Sequence, residues 1–214
     1  MNEYFSDCII ETMPQRSDEW FAARKGILTA SNFGPWLLAT GKVAEGAKEK
    51  AICKLIAERA NCDLGPNFEN WAMKRGTELE PQAVAAFEGA TGIKIQEVGF
   101  CKSLHGDFGC SPDGLVIGES AGLEGKVPVP DTHIRYRRAG KLPEEYMYQV
   151  HGSMAVTGAK SWWFQSFCPG LAPLRIVIER DEFTEKLKAA LVAFSTEFEQ
   201  AWMDEVKANT KGSA

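Results

Sequence analysis

Ser111-Pro112-Asp113-Gly114, followed eleven residues after the aspartate by Glu124-Gly125-Lys126, constrains the fold of this chain more than any other stretch. Proline and glycine mark a turn. The apolar run Leu115-Val116-Ile117 and the segment Gly122–Val129 read as strands on either side of a short loop. Residues two apart on a strand point to one face, so Glu124 and Lys126 look the same way, and a hairpin brings Asp113 beside them. An acid and a lysine in a strand flanked by Leu123 and Val127 need partners or a job. Two carboxylates and a lysine around one point make a site for a hard divalent cation and an activated water. The bland alternative is a hairpin with a surface Glu and Lys. Among 29 acids and 24 bases such a spacing also arises by chance.

The chain has 214 residues, enough for one domain, 1–214, and short for two. No apolar run approaches the ~18 residues of a membrane span, and the acidic N-terminus lacks a signal-peptide core. A cytoplasmic protein is the expectation. The six cysteines, Cys8, Cys53, Cys62, Cys101, Cys110 and Cys168, form no C-x-x-C pair, which argues against zinc and for reduced, mostly buried thiols. The net charge of −5 argues against a protein that coats nucleic acid, but not against an enzyme with its basic groups in one channel. The densest basic stretch, His133 to Lys141, reads either as a solvated helix end or loop, or as a phosphate-contacting strip through Arg135 and Arg137.

Ser17 is the expected cap of a first helix, and Thr29 or Ser31 caps a short one reaching Leu38. Ala51, Ile52, Leu55 and Ile56 put a helix over 46–61. Residues 61–75 read as a loop-like insertion holding Trp71 and Met73, and Thr77 opens the next helix. Residues 93–102 are β-rich, and 108–110, 115–117 and 122–129 read as a meander. Pro143 starts a helix to Thr157. Strands follow at 162–167 and 174–179, and Asp181 caps a long final helix. The order predicts an α/β (α+β) fold: a mixed central sheet flanked by helices, similar to the restriction-endonuclease-like PD-(D/E)xK core.

The chain resembles the lambda-exonuclease or YqaJ-type viral recombinase exonucleases over roughly Ser17 to Trp202. Five segments carry the likeness in order. Trp20 to Ser31 is similar to the family's W-x3-R-x-G-x2-T-A-S opening. Gly76 to Glu80 resembles its G-x3-E helix start. Cys110 to Gly114 pairs with Glu124-Gly125-Lys126. Tyr146 to His151 resembles its Y-x2-Q-V-Q helix, and Val177 to Asp181 closes the series.

The resemblance implies processive 5′→3′ digestion of one strand of linear duplex DNA, leaving 3′ overhangs. It implies magnesium, with two ions and manganese as a substitute. It also implies a homotrimeric ring and a single-strand annealing protein as partner in phage recombination. By resemblance Asp113, Glu124 and Glu80 are metal carboxylates, Gly125 lends its carbonyl, Lys126 is the catalytic lysine and Gln149 supports it. Arg24, Ser31 and Ser111 match a pocket for the 5′-phosphate, a chemistry that suits a guanidinium and two hydroxyls. Met73, with Trp71, falls where the family carries an apolar wedge between base pairs; packing or a trimer contact is the plainer role.

The chain departs from the pattern in places. His151 replaces the second glutamine and is not assigned as a metal ligand. The loop between Asp113 and Glu124 is one residue longer, and residues 38–47 offer only Lys42 as a base. A restriction-type endonuclease, a non-catalytic DNA-end-binding module and a small phosphoester hydrolase are the rival readings.

Overall fold

The computed structural model describes residues 3–65 and 71–211. Its strands form two sheets rather than one. In the first, β1 (Cys8–Glu11) runs antiparallel to β4 (Phe100–Ser103), β4 antiparallel to β5 (Phe108–Cys110), and β5 parallel to β2 (Leu28–Thr29). The second sheet has the order β3 (Ile95–Gln96), β6 (Gly114–Val116), β7 (Ala121–Lys126), β8 (Ser161–Ser166) and β9 (Leu174–Glu179). Only β7 and β8 are parallel there, so this sheet is mixed, as expected.

The expected meander is therefore corrected. Residues 108–110 belong to the first sheet and 114–116 to the second. Pro112, at the crossing, has no N–H for a ladder. Asp113 resumes pairing at once, donating its N–H to the Leu123 carbonyl at 3.1 Å.

The helices are α1 (Asp18–Ala23), α2 (Lys42–Arg59), α3 (Trp71–Thr91), α4 (Pro130–Ala139), α5 (Glu144–Thr157) and α6 (Glu182–Lys211). Ser17 caps α1 by accepting from Trp20 N–H at 3.2 Å, and Asp181 caps α6 through Thr184 N–H at 3.0 Å. The expected helix from Thr29 or Ser31 to Leu38 is two separate 3-10 turns, Ala30–Asn32 and Pro35–Leu37, with no side-chain cap. The helix expected from Thr77 starts at Trp71, so Trp71 and Met73 are helical; residues 66–70 of the expected insertion lie outside the described residues. The strand expected to reach Val129 stops at Lys126, and the basic stretch that follows is α4, a helix the sequence reading missed.

α5 runs through the centre. Val150, Met154, Ala155 and Val156 are fully buried, among a core that includes Phe33, Phe108, Trp162 and Phe164. A Cβ on Gly152 would come within 2.2 Å of the Phe33 ring, so this crossing admits only glycine. Leu187, Leu191, Phe194 and Phe198, at helical spacing, seal the core from α6. Each such burial stabilises by roughly 1.5–3 kcal/mol. No described helix is long and apolar enough to cross a membrane.

Candidate active site

β7 delivers the centre of the site. Glu124 and Lys126 share a face, and the Lys126 ammonium meets Glu124 Oε1 at 2.5 Å. Glu124 is only 2% exposed, so its oxygens need donors. Gln149 on α5 supplies a second, from Nε2 to the same Oε1 at 2.6 Å. Asp113, just ahead of β6, accepts from Gly125 N–H at 2.5 Å through Oδ2. A Cβ on residue 125 would stand 3.3 Å from that oxygen, so any side chain there crowds the carboxylate. The Lys126 ammonium also lies 5.2 Å from the centre of the Tyr146 ring, a cation–π contact.

Charge is in excess at this point. Burial holds Asp113 well above the usual carboxylate range; Glu124 and Glu80 push the same way, against Lys126. Burial disfavours the Lys126 ammonium, yet Glu124 and Asp113 outweigh it and raise its pKa above the ordinary lysine value. Lys126 is thus a fixed positive charge near neutral pH, suited to stabilising an anion rather than to taking a proton.

Glu80 joins from α3, where Pro81 removes the N–H that would bond the Thr77 carbonyl. With Asp113, Gly125 and Lys126 it lines a cleft of 260 Å³ that also holds Met73, Thr77 and Gln165. A second cleft of 350 Å³ lies beyond Glu80 and Asp113, walled by Gln15 and Pro81. Arg16 lines both and pairs with Glu80 Oε2 at 2.9 Å.

Among the described residues, no three His, Cys, Asp or Glu side chains converge into a ready metal cage. Each carboxylate is engaged by a protein donor instead. The donor set still fits magnesium. It offers oxygen ligands only, from Asp113, Glu124, Glu80 and the Gly125 carbonyl, beside a cleft with room for waters. Asp113 also feels the negative charge of Glu124 and Glu80, which Lys126 opposes.

A second constellation starts two residues before Asp113. Ser111 Oγ accepts from Arg24 Nη1 at 2.7 Å and from the Trp20 indole at 3.0 Å. With both lone pairs used, the hydroxyl hydrogen is left to donate outward. Arg24 stacks 4.0 Å over the Trp20 ring and, among the described residues, has no carboxylate at ion-pair distance. Burial pushes it down to about 10, which still leaves it charged. Leu28 and Thr29 of β2 pair in parallel with Phe108 and Gly109 of β5. Ser31 follows in the 3-10 turn Ala30–Asn32, with its Oγ 3.3 Å from Thr29 Oγ1.

Residues 19–160 match the model of the YqaJ-like viral recombinase domain. The chain belongs to that family. It is similar to the alkaline exonuclease LHK-Exo from Laribacter hongkongensis, with 33% identity and a TM-score of 0.77 over 92% of this chain and 100% of that one. LHK-Exo in complex with dAMP matches at 32% and 0.75, over 92% and 100%. A phage-related exonuclease from Haemophilus somnus 129PT shares the fold, at 14% identity and a TM-score of 0.58 over 84% and 96%. No curated protein matches significantly.

The viral-recombinase segment contains Arg24, Ser31, Glu80, Ser111, Asp113, Glu124, Gly125, Lys126 and Gln149. Arg16 and Gln165 lie outside it, and sequence reading missed both. Fully buried Gln165 pairs with Gly125 in register, donates to the Ala83 carbonyl at 2.7 Å and accepts from Arg175 at 2.7 Å, tying α3 to the sheet. Nothing near it in sequence signals that role.

The basic stretch is helical. On α4, Arg135 and Arg137 are ~200° apart around the axis, and both are exposed. His133 is buried, bonded to Ser166 Oγ and the Ala172 carbonyl. His151 lies in the core against Thr184 and Phe183. Met73 lines the cleft, while Trp71 stands 70% exposed at the start of α3.

Proposed function

We propose that this viral-recombinase protein is a metal-dependent, processive 5′→3′ exonuclease on linear duplex DNA. It prefers 5′-phosphorylated ends and leaves 3′ overhangs for strand annealing. The observation that carries the reading is the Ser111–Asp113 turn. Ser111 belongs to a pocket of anion donors and Asp113 to the acid–lysine cluster, about 7 Å of extended chain apart. A terminal phosphate held at Arg24, Ser31 and Ser111 places the adjoining phosphodiester at the carboxylates. The exonuclease relatives support the same activity.

Asp113, Glu124, Glu80 and the Gly125 carbonyl would hold magnesium, as two ions, with manganese as substitute. A bound ion neutralises phosphate oxygens and supplies water of lowered pKa. Gln149 fixes the Glu124 carboxylate through its Oε1, which leaves the other oxygen for a ligand. Lys126 stabilises the charge that develops on the phosphoryl oxygens. Met73, at the cleft wall, is placed to act as the wedge against the last base pair, with Trp71 nearby on the same helix. Arg135 and Arg137 contact the duplex backbone from separate sides of α4. Family membership supports a homotrimeric ring and a single-strand annealing protein as partner.

The test is digestion of linear duplex, 5′-phosphorylated or 5′-hydroxyl, beside a closed circle, with and without magnesium. Magnesium-dependent loss of the phosphorylated linear DNA, with the circle intact, is expected. Cutting of the circle would establish the endonuclease instead, and activity undiminished by chelator would remove the metal.

A further inference from the structure

Each acid of the candidate site is held by a protein donor, and one of those donors lies outside the viral-recombinase segment. Lys126 and Gln149 hold Glu124, and Gly125 holds Asp113. Glu80 is held by Arg16. Arg16 is one of two non-glycine described residues with positive φ, at 70°, a conformation that costs energy unless the surroundings enforce it. They do so here. Gln15 donates from Nε2 to the Val98 carbonyl at 3.0 Å and the Pro112 carbonyl at 2.8 Å, which pins the loop to the turn bearing Asp113. Ser17, on the other side, bonds Pro14 and caps α1. The loop is therefore fixed against the site while the side chain is free to move. Arg16 is 49% exposed and Glu80 28%, and an ion pair this wet is weak because water screens it. It is easily exchanged.

We propose that Arg16 is an exchangeable counter-ion for Glu80. It occupies the carboxylate while no divalent cation is present and is displaced when a cation takes Glu80. The inference rests on the metal-dependent reading above. Arg16 and the cation compete for one carboxylate, and like charges at close range repel. The exchange keeps Glu80 from standing unpaired near Asp113 in the metal-free protein. It also frees a guanidinium at the junction of the two clefts as the site becomes active.

Isothermal titration of Mn2+ into the DNA-free protein tests this, with R16G, E80Q and the double variant. Glycine preserves the positive φ, so folding is not at stake. R16G is expected to bind Mn2+ roughly three- to tenfold more tightly than the unaltered chain. In the E80Q background the same change is expected to have no effect. Equal affinity of R16G and the unaltered protein overturns the exchange. So does an equal gain in both backgrounds, which would make Arg16 a general repulsive charge. Absence of Mn2+ binding by every variant overturns the metal-dependent reading and the exchange with it.

Discussion

Ser111 and Asp113 sit two residues apart on one turn and face different chemistry: Ser111 Oγ accepts from Arg24 at 2.7 Å, while Asp113 Oδ2 accepts from Gly125 at 2.5 Å. The turn joins the two sheets, so the proposed end-binding pocket and the acid–lysine cluster share one support.

Removing the guanidinium separates the two. R24A is expected to lose the preference for 5′-phosphorylated ends, its KM on such ends rising about 10–100-fold, the worth of one charged hydrogen bond. Rates on 5′-hydroxyl ends should change little. Initial rates on matched linear duplexes decide it, and equal rates on both ends in the unaltered enzyme would refute the pocket.

Asp113 sets a pH dependence. Its folded pKa lies above the unfolded value, so its contribution to stability is full below the unfolded pKa and is lost as pH rises through the folded one. The metal-free protein should therefore melt at lower temperature as pH rises through that range. Mg2+, which favours the ionised carboxylate, should recover more stability there. D113N should abolish activity while raising the metal-free Tm by a few degrees wherever the native carboxylate is ionised. Melting scans against pH, with and without Mg2+, check the sign.

Gln149 acts through Glu124, to which it donates at 2.6 Å. Q149A is expected to lower kcat about 10–100-fold with little change in KM for DNA, since a positioned ligand acts mainly on the transition state. Q149E, which sets a second acid against a buried one, should be worse. A rise in KM with kcat intact would place Gln149 in DNA binding instead.

The proposed phosphate contacts of Arg135 and Arg137 carry a salt signature. Each alanine variant is expected to flatten the salt dependence of DNA binding by about 0.9 in log K against log salt. Binding measured in Ca2+ across several salt concentrations tests each arginine separately. An unchanged slope removes that residue from the interface.

Much of the local structure was legible in the sequence, because it depends on neighbours in the chain. Ser17 and Asp181 cap helices, the period-two spacing puts Glu124 and Lys126 on one face, and the α6 stripe buries as its 3.6 periodicity requires. α4 was not legible, since its arginines mask the apolar face that buries His133 and Tyr136. The early start of α3 escaped because Gly76 and the acid-rich turn after Thr77 looked like a helix beginning.

The sequence by itself determined which residues are chemically equipped: the acid–lysine spacing, the turn before it, and Arg24 with its serines. Tertiary structure alone decided how they meet. Pro112, which cannot donate to a ladder, lets the chain change sheets and splits the turn between two sites. Packing of α3 and α5 on the second sheet brings Glu80 and Gln149 to β7, and a pinned loop brings Arg16 to Glu80. Backbone chemistry and side-chain periodicity are local, so they can be read along the chain. Convergence of distant residues depends on register and close packing, which no short stretch encodes.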